Sequence, residues 1–293
     1  MSIIVNHLSY IYSPGTAYEQ QALKDISFKV EQGEFIGLLG ATGSGKSTLI
    51  QHLNGLLAPS SGSVYYNGED IFEKDYDRKA LRSRVGLVFQ YPEHQLFEVD
   101  VFTDVCFGPK NMGLSRKECE LRAYEALKLV GLKDEEFYVS PLDLSGGEKR
   151  RAAIAGVLAM KPEVLILDEP TAGLDPKGRD EILTLIKKIR EETGMTVILV
   201  SHSMDDVAEN TERLLVMYKG ELIFDAAPKE VFSEYETMTE IGLDIPQVTK
   251  ILRGLKERGI DVNTDIITLE EARTEILRCY GQVNAHSISG GKG

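Results

Sequence analysis

The sequence predicts an α/β fold: buried strands alternating with helices, opened by an antiparallel β layer, interrupted by an inserted helical subdomain and followed by a small helical module. Three observations predict it. Short, almost wholly apolar runs recur at residues 34–39, 164–167 and 196–200, which is the pattern of strands covered on both faces. Alternating segments at 3–12 and 22–31, joined by a turn at Ser13-Pro14-Gly15, read as antiparallel strands with one face in the core. Between about 91 and 143 the strand-and-helix rhythm stops, and only helical spacing remains.

Each element follows from its residues. The run at 34–39 ends in Gly40, where helical spacing begins. Leu121, Tyr124, Leu127 and Val130 recur at helical intervals, with Ser115 and Glu118 placed as a capping box and Gly131 as the stop. A helix-like stretch covers 149–160, and another helix is expected over 177–192, between the two later apolar runs. Past Pro228 the chain turns to short amphipathic helices. Val248, Ile251, Leu252 and Leu255 share one helix face there, and Thr268 with Glu271 forms a second candidate cap. The expected division is therefore a main domain over 1–227, with a helical subdomain at about 91–143, and a C-terminal module over 228–286. The Ser/Gly-rich residues 287–293 are expected to form a flexible tail.

Composition narrows the function. The 293 residues carry 46 acids against 33 bases, a formal charge of -13, which argues against a nucleic-acid partner and a polybasic lipid anchor. No apolar run approaches the roughly 18 to 20 residues a spanning helix needs, and Met1-Ser2-Ile3 leads into a strand pattern rather than a signal core. A soluble protein made in the cytosol is expected. The three cysteines, Cys106, Cys119 and Cys279, are widely spaced without a CxxC pair, so neither a disulfide framework nor a zinc knuckle is expected.

Three motifs carry chemistry. Gly40-Ala41-Thr42-Gly43-Ser44-Gly45-Lys46-Ser47, with Thr48 after it, fits a phosphate-binding loop in which glycines let backbone N–H groups wrap phosphates at a helix start. Lys46 would reach the β- and γ-phosphates, and Ser47 the Mg²⁺. Next, the apolar strand at 164–167 delivers Asp168 and Glu169 to its polar end. Side chains alternate along a strand, so these acids divide the work: Asp168 serves Mg²⁺ through water, and Glu169 orients and deprotonates the attacking water. The third motif is Leu144-Ser145-Gly146-Gly147-Glu148, a second helix-start anion site in a chain that already has one.

Leu144 to Glu148, placed just before the acidic strand, resembles the diagnostic motif of the ATP-binding-cassette (ABC) ATPase family. The resemblance implies a P-loop NTPase cassette: a RecA-like core with an antiparallel β subdomain, an inserted helical subdomain and, here, the C-terminal helical module. It implies ATP and Mg²⁺ as ligands, and a dimer in which Ser145, Gly146, Gly147 and Glu148 face the partner subunit's nucleotide. It also implies that Gln90 is the Q-loop glutamine touching Mg²⁺ and water, that His202 is the switch histidine at the γ-phosphate, and that Gly173-Leu174-Asp175 is the D-loop. Tyr12 would stack on adenine, with Tyr10 as the rival for that role.

The motifs establish ATP hydrolysis and not its use. Membrane helices, a second cassette, zinc modules and long heptad arms are missing from the sequence, and a lone cassette suits an importer. The stretch 89–97 (Phe-Gln-Tyr-Pro-Glu-His-Gln-Leu-Phe), the later Phe107-Gly108-Pro109-Lys110-Asn111 and residues 171–176 look like the energy-coupling factor (ECF) transporters, with wording closer to the second of their two ATPases. That resemblance implies a related second ATPase as partner, or a second copy, on the cytoplasmic face of the cell membrane as a peripheral protein. It implies coupling helices of a membrane T component in a groove lined by Glu93, Phe97 and Glu98, and indirectly an S component that binds a vitamin or metal ion. A conventional importer with a binding protein and a soluble non-transport ATPase are the alternatives.

Overall fold

The computed structural model describes residues 2–289, with side chains described as far as residue 280. The strands are β1 (Ser2–Tyr12), β2 (Gln20–Glu31), β3 (Phe35–Gly40), β4 (Ser61–Tyr66), β5 (Glu69–Asp70), β6 (Val85–Val88), β7 (Val164–Asp168), β8 (Thr196–Val200), β9 (Arg213–Tyr218) and β10 (Glu221–Ala226). They build two sheets. An antiparallel sheet runs in the order β2-β1-β4-β5, and a six-stranded sheet in the order β10-β9-β3-β8-β7-β6. In the second sheet β9, β3, β8, β7 and β6 are parallel and β10 is antiparallel at one edge.

Strands β3, β7 and β8 are buried along their whole length, because helices cover one face and the antiparallel sheet covers the other. Their side chains divide accordingly. Leu165, Leu167, Val197 and Leu199 point to the helical side, whereas Val164, Ile166, Ile198 and Val200 point to the antiparallel sheet. A one-residue slip in any of these strands would exchange the two cores.

The helices are α1 (Lys46–Leu53), α2 (Arg78–Arg84), α3 (Val101–Asn111), α4 (Arg116–Leu129), α5 (Gly146–Leu158), α6 (Pro176–Thr193), α7 (Met204–Asn210), α8 (Pro228–Ser233), α9 (Tyr235–Glu240), α10 (Gln247–Glu257) and α11 (Leu269–Ser289). Among the described residues no strand lies between Val88 and Val164, and α3, α4 and α5 pack there around Val105, Ala123, Leu127 and Phe137.

Several local expectations change. Ser115 caps α4 through the Glu118 N–H at 3.3 Å, but the Glu118 carboxylate pairs with Arg122 instead of returning to the cap, so the box is half formed. The same holds at Thr268, where Glu271 turns its carboxylate to Lys229 at 2.7 Å. Ile251 does not join the buried face of α10 and is 56% exposed, while Leu252 is buried with Val262, Ile266 and Ala272. Val231, Phe232 and Met238 pack with Leu39, Leu214 and Val216 of the main sheet, so α8 and α9 continue the main core. Helix α11 runs to Ser289, into the stretch expected to be a flexible tail, and residues 290–293 lie outside the described residues.

Candidate active site

Ligands of open parallel sheets gather beyond the carboxyl ends of the strands, and the site residues follow from that rule. The phosphate loop follows β3, His202 follows β8, Asp168 and Glu169 close β7, and Gln90 follows β6. Those four strands are consecutive neighbours, so residues far apart in sequence arrive at one edge.

The loop is shaped by its glycines. Gly45 precedes α1 at φ 107° and offers no side-chain cap to the helix N–H groups, which leaves them for an anion. A Cβ on Gly45 would meet the Ala22 carbonyl oxygen at 2.6 Å, and one on Gly40 would meet Ser44 Oγ at 2.4 Å. Gly45→Ala is therefore expected to displace the loop. Backbone strain of about 1–3 kcal/mol corresponds to a roughly tenfold weaker affinity for ATP, measurable by titration with a fluorescent nucleotide; an unchanged affinity would refute this account of the loop.

Lys46 curls back over the loop, donating from Nζ to the carbonyls of Gly40 at 2.6 Å and Ala41 at 3.2 Å. Burial lowers its pKa, and the carboxylates of Glu169 and Asp168 pull it back up. A desolvated ammonium with two acids beside it suits a polyphosphate chelating a cation. Among the described residues the buried Ser44 hydroxyl finds no hydrogen-bond partner, an orphan donor inside the same loop. Ser47 Oγ donates to Asp168 Oδ2 at 3.5 Å. Tyr12 reaches the helix after the loop, its hydroxyl 3.1 Å from Thr48 Oγ1, and the residue is 37% exposed, whereas Tyr10 packs edge-on to Tyr12 and His52 and against the core.

The two acids do divide. Asp168 is buried and faces Ser47, and burial first, then Glu169, raises its pKa. Glu169 leaves the strand in the left-handed region at φ 50°, a costly conformation for a side chain with a Cβ. Its N–H still donates to the Val200 carbonyl at 3.0 Å, so the ladder holds while the carboxylate turns aside. One oxygen accepts from Gln90 Nε2 at 2.9 Å and the other lies 2.6 Å from His202 Nε2. Gln90, Glu169 and His202, expected from the sequence to share a site, form one cluster.

Ser145 to Glu148 stand elsewhere. Ser145 caps α5 and Glu148 returns the bond, its carboxylate accepting the Ser145 N–H at 2.8 Å. Those bonds from Ser145 hold the Glu148 pKa below the usual carboxylate range. Ser145 and Gly146 are exposed. Among the described residues no hydrogen bond joins this motif to the phosphate loop. After Gly173-Leu174, the stretch expected to be the D-loop, Asp175 caps α6 through the Gly178 N–H.

Sequence reasoning missed the residues that tie these parts together. Arg150, one of the largest fully buried side chains, forks onto Glu93 at 2.7 and 3.1 Å and donates to the carbonyls of Pro170 and Ala172. Its helical spacing from Ile154, on the buried stripe of α5, was the available signal. Glu93 is thereby taken in cis, which corrects its expected place in the partner-facing groove. Asp104, also buried, accepts the N–H groups of Phe97 and Glu98 and fixes that loop. A groove of about 920 Å³ lies next to it, lined by Leu96, Phe97, Phe107, Met112 and Met160 among others.

Phosphate loops and acid-tipped strands occur in many nucleotide hydrolases, but an exposed Ser-Gly-Gly-Glu helix start leading into the acidic strand is far more restrictive. The chain belongs to the ABC transporter family, whose model matches residues 23–172, and it is an ATP-hydrolysing cassette. Its relatives narrow the family further. The energy-coupling factor transporter ATP-binding protein EcfA2 of Caldanaerobacter subterraneus subsp. tengcongensis is 54% identical over 95% of this chain and 97% of its own length. The protein of the same name from Clostridium tetani is 53% identical over 96% and 98%. Among solved structures, cbiO1 from Clostridium perfringens, part of the ABC transporter complex cbiONQ, matches with TM-score 0.72 and 43% identity over 82% of this chain and 93% of its own. The cassette MJ0796, a dimer in a post-hydrolysis state with ADP and Pi, matches with TM-score 0.68 and 31% identity over 77% and 98%.

Proposed function

We propose that this chain is one ATPase of an ECF-type importer, closing with a second, related cassette around two nucleotides and driving membrane T and S components. The observation that carries it is the separation of the phosphate loop from an exposed Ser145–Gly146 helix start in the same chain. Each supplies half of a nucleotide site, so two subunits are required to complete one.

In the assembled site Lys46 and the loop N–H groups hold the β- and γ-phosphates, and Tyr12 stacks on adenine. The partner's copy of the signature motif closes over the γ-phosphate. Glu169 takes the proton of the attacking water, held in line by Gln90 and His202. Ser47, Asp168 and Gln90 offer a hard oxygen set suited to Mg²⁺, which supplies charge neutralisation at the phosphates. Phe97 and its groove receive the coupling helices of the T component, and half-buried Glu98 faces that partner's cations.

The C-terminal module supports dimerisation through exposed apolar side chains such as Ile251, Ile276 and Leu277. Among the described residues no helix is long and apolar enough to cross a membrane, which suits a peripheral subunit on the cytoplasmic face. Purification of the tagged chain from membranes tests the reading. A second cassette and two membrane proteins are expected with it, whereas exclusively soluble partners would overturn the transporter assignment. A homodimer with a pair of permease subunits would favour a conventional importer instead.

A further inference from the structure

A second polar network lies behind the site. Asp206, on α7, has a side chain only 2% exposed. One of its oxygens accepts from Arg179 Nε at 2.6 Å, and the other from the Thr171 hydroxyl at 3.5 Å. Arg179 reaches further, donating from Nη2 to the Ser203 hydroxyl at 2.7 Å. That hydroxyl also caps α7 by accepting the Asp206 N–H at 3.2 Å, and the Ser203 N–H donates to Ser201 Oγ at 3.0 Å.

The positions give these bonds their meaning. Thr171 is two residues past Glu169, Ser203 is one past His202, and Arg179 is one helical turn past Asp175, the cap that ends the D-loop. The His202 side chain is 44% exposed, and among the described residues its polar partner is Glu169. Its aim is therefore set mainly by the backbone of residues 201–203, which the Ser203 hydroxyl anchors. A buried carboxylate with a single cation holds its geometry tightly, because losing either partner leaves the other uncompensated.

We infer that Arg179 and Asp206 are positioning residues that fix the switch histidine against Glu169 and link its orientation to the seating of the D-loop. Both act through protein groups, Thr171 and Ser203, on either side of the site. This rests on the reading of His202 and Glu169 given above, and a double-mutant cycle separates the two ideas. In the full transporter complex, Arg179→Gln is expected to lower kcat roughly tenfold with the KM for ATP within about twofold, the pattern of a group acting only in the transition state. In a His202→Ala background the same change is expected to cost less than about twofold, since residues acting as one unit are not additive.

An equal loss in both backgrounds would overturn the inference. Undiminished turnover in His202→Ala alone would overturn the reading of the site beneath it. A second measurement avoids dependence on turnover. In the full-length chain labelled at histidine, the His202 ring resonance, assigned by its loss in His202→Ala, is expected to shift in Asp206→Asn while the His7 and His94 resonances stay in place. A His202 resonance unmoved in a folded Asp206→Asn protein would overturn the inference.

Discussion

Replacing Glu169 with Gln is expected to lower ATP turnover by on the order of 10²-fold or more while sparing nucleotide binding. The substitution keeps size, and an amide can still meet Gln90 and His202, the two partners at 2.9 and 2.6 Å. What it removes is the capacity to take a proton from water. In the proposed site, phosphate affinity resides in Lys46 and the loop N–H groups, which Glu169 does not touch by hydrogen bond, so the titration with fluorescent ATP should be nearly unchanged. Turnover equal to wild type in the assembled complex would remove Glu169 from the base role. Loss of binding in parallel with turnover would mean that its charge serves the loop and not the water.

The second large effect is on stability. Arg150→Met leaves the Glu93 carboxylate without its fork and two carbonyls, those of Pro170 and Ala172, without their donor. Burial works against ionisation of Glu93 and Arg150 holds its pKa below the usual range, so removing Arg150 leaves the desolvation of the carboxylate unopposed. Breaking such a buried pair costs about 3–5 kcal/mol, and Tm is expected to fall by roughly 10 °C at about 2–4 °C per kcal/mol. The double variant Glu93→Gln with Arg150→Met should recover part of the loss, because no orphaned charge remains. Calorimetry of the two variants beside the wild type checks this; a double variant less stable than Arg150→Met would show that the charge was not the problem.

Much of this molecule could be read before any coordinates. Strands with long apolar runs, β3, β7 and β8, announce themselves because both faces are buried, and the glycine spacing of 40–45 has few structural uses besides an anion cradle. The strands β4, β9 and β10 went unread. The run Ser61–Tyr66 is half exposed and β10 lies at a sheet edge, where polar residues blur the period of two. The half-formed caps at Ser115 and Thr268 show a different limit: a motif places a glutamate within reach of the cap, but a cation on a neighbouring turn or helix can win it. Arg150 and Asp206 were missed because a charged residue in sequence carries no mark of burial. Only the packing of α5 and α7 turns those two from apparent surface groups into internal ties.

The inserted helices leave the large sheet from β6 and return to β7, and these two strands are neighbours. The excursion leaves past Val88, at the carboxyl end of β6, and returns at Val164, which pairs with Val85 at the other end of the same parallel pair, so its two attachments stand about 10 Å apart along the strands, like a door hung on two hinges. Such a mounting permits a swing about the line through both attachments but resists sliding. In the proposed assembly a small turn near Gln90 would become a larger arc at the groove around Phe97 and at Ser145, so the membrane partner and the opposing nucleotide would feel the same swing at the same moment.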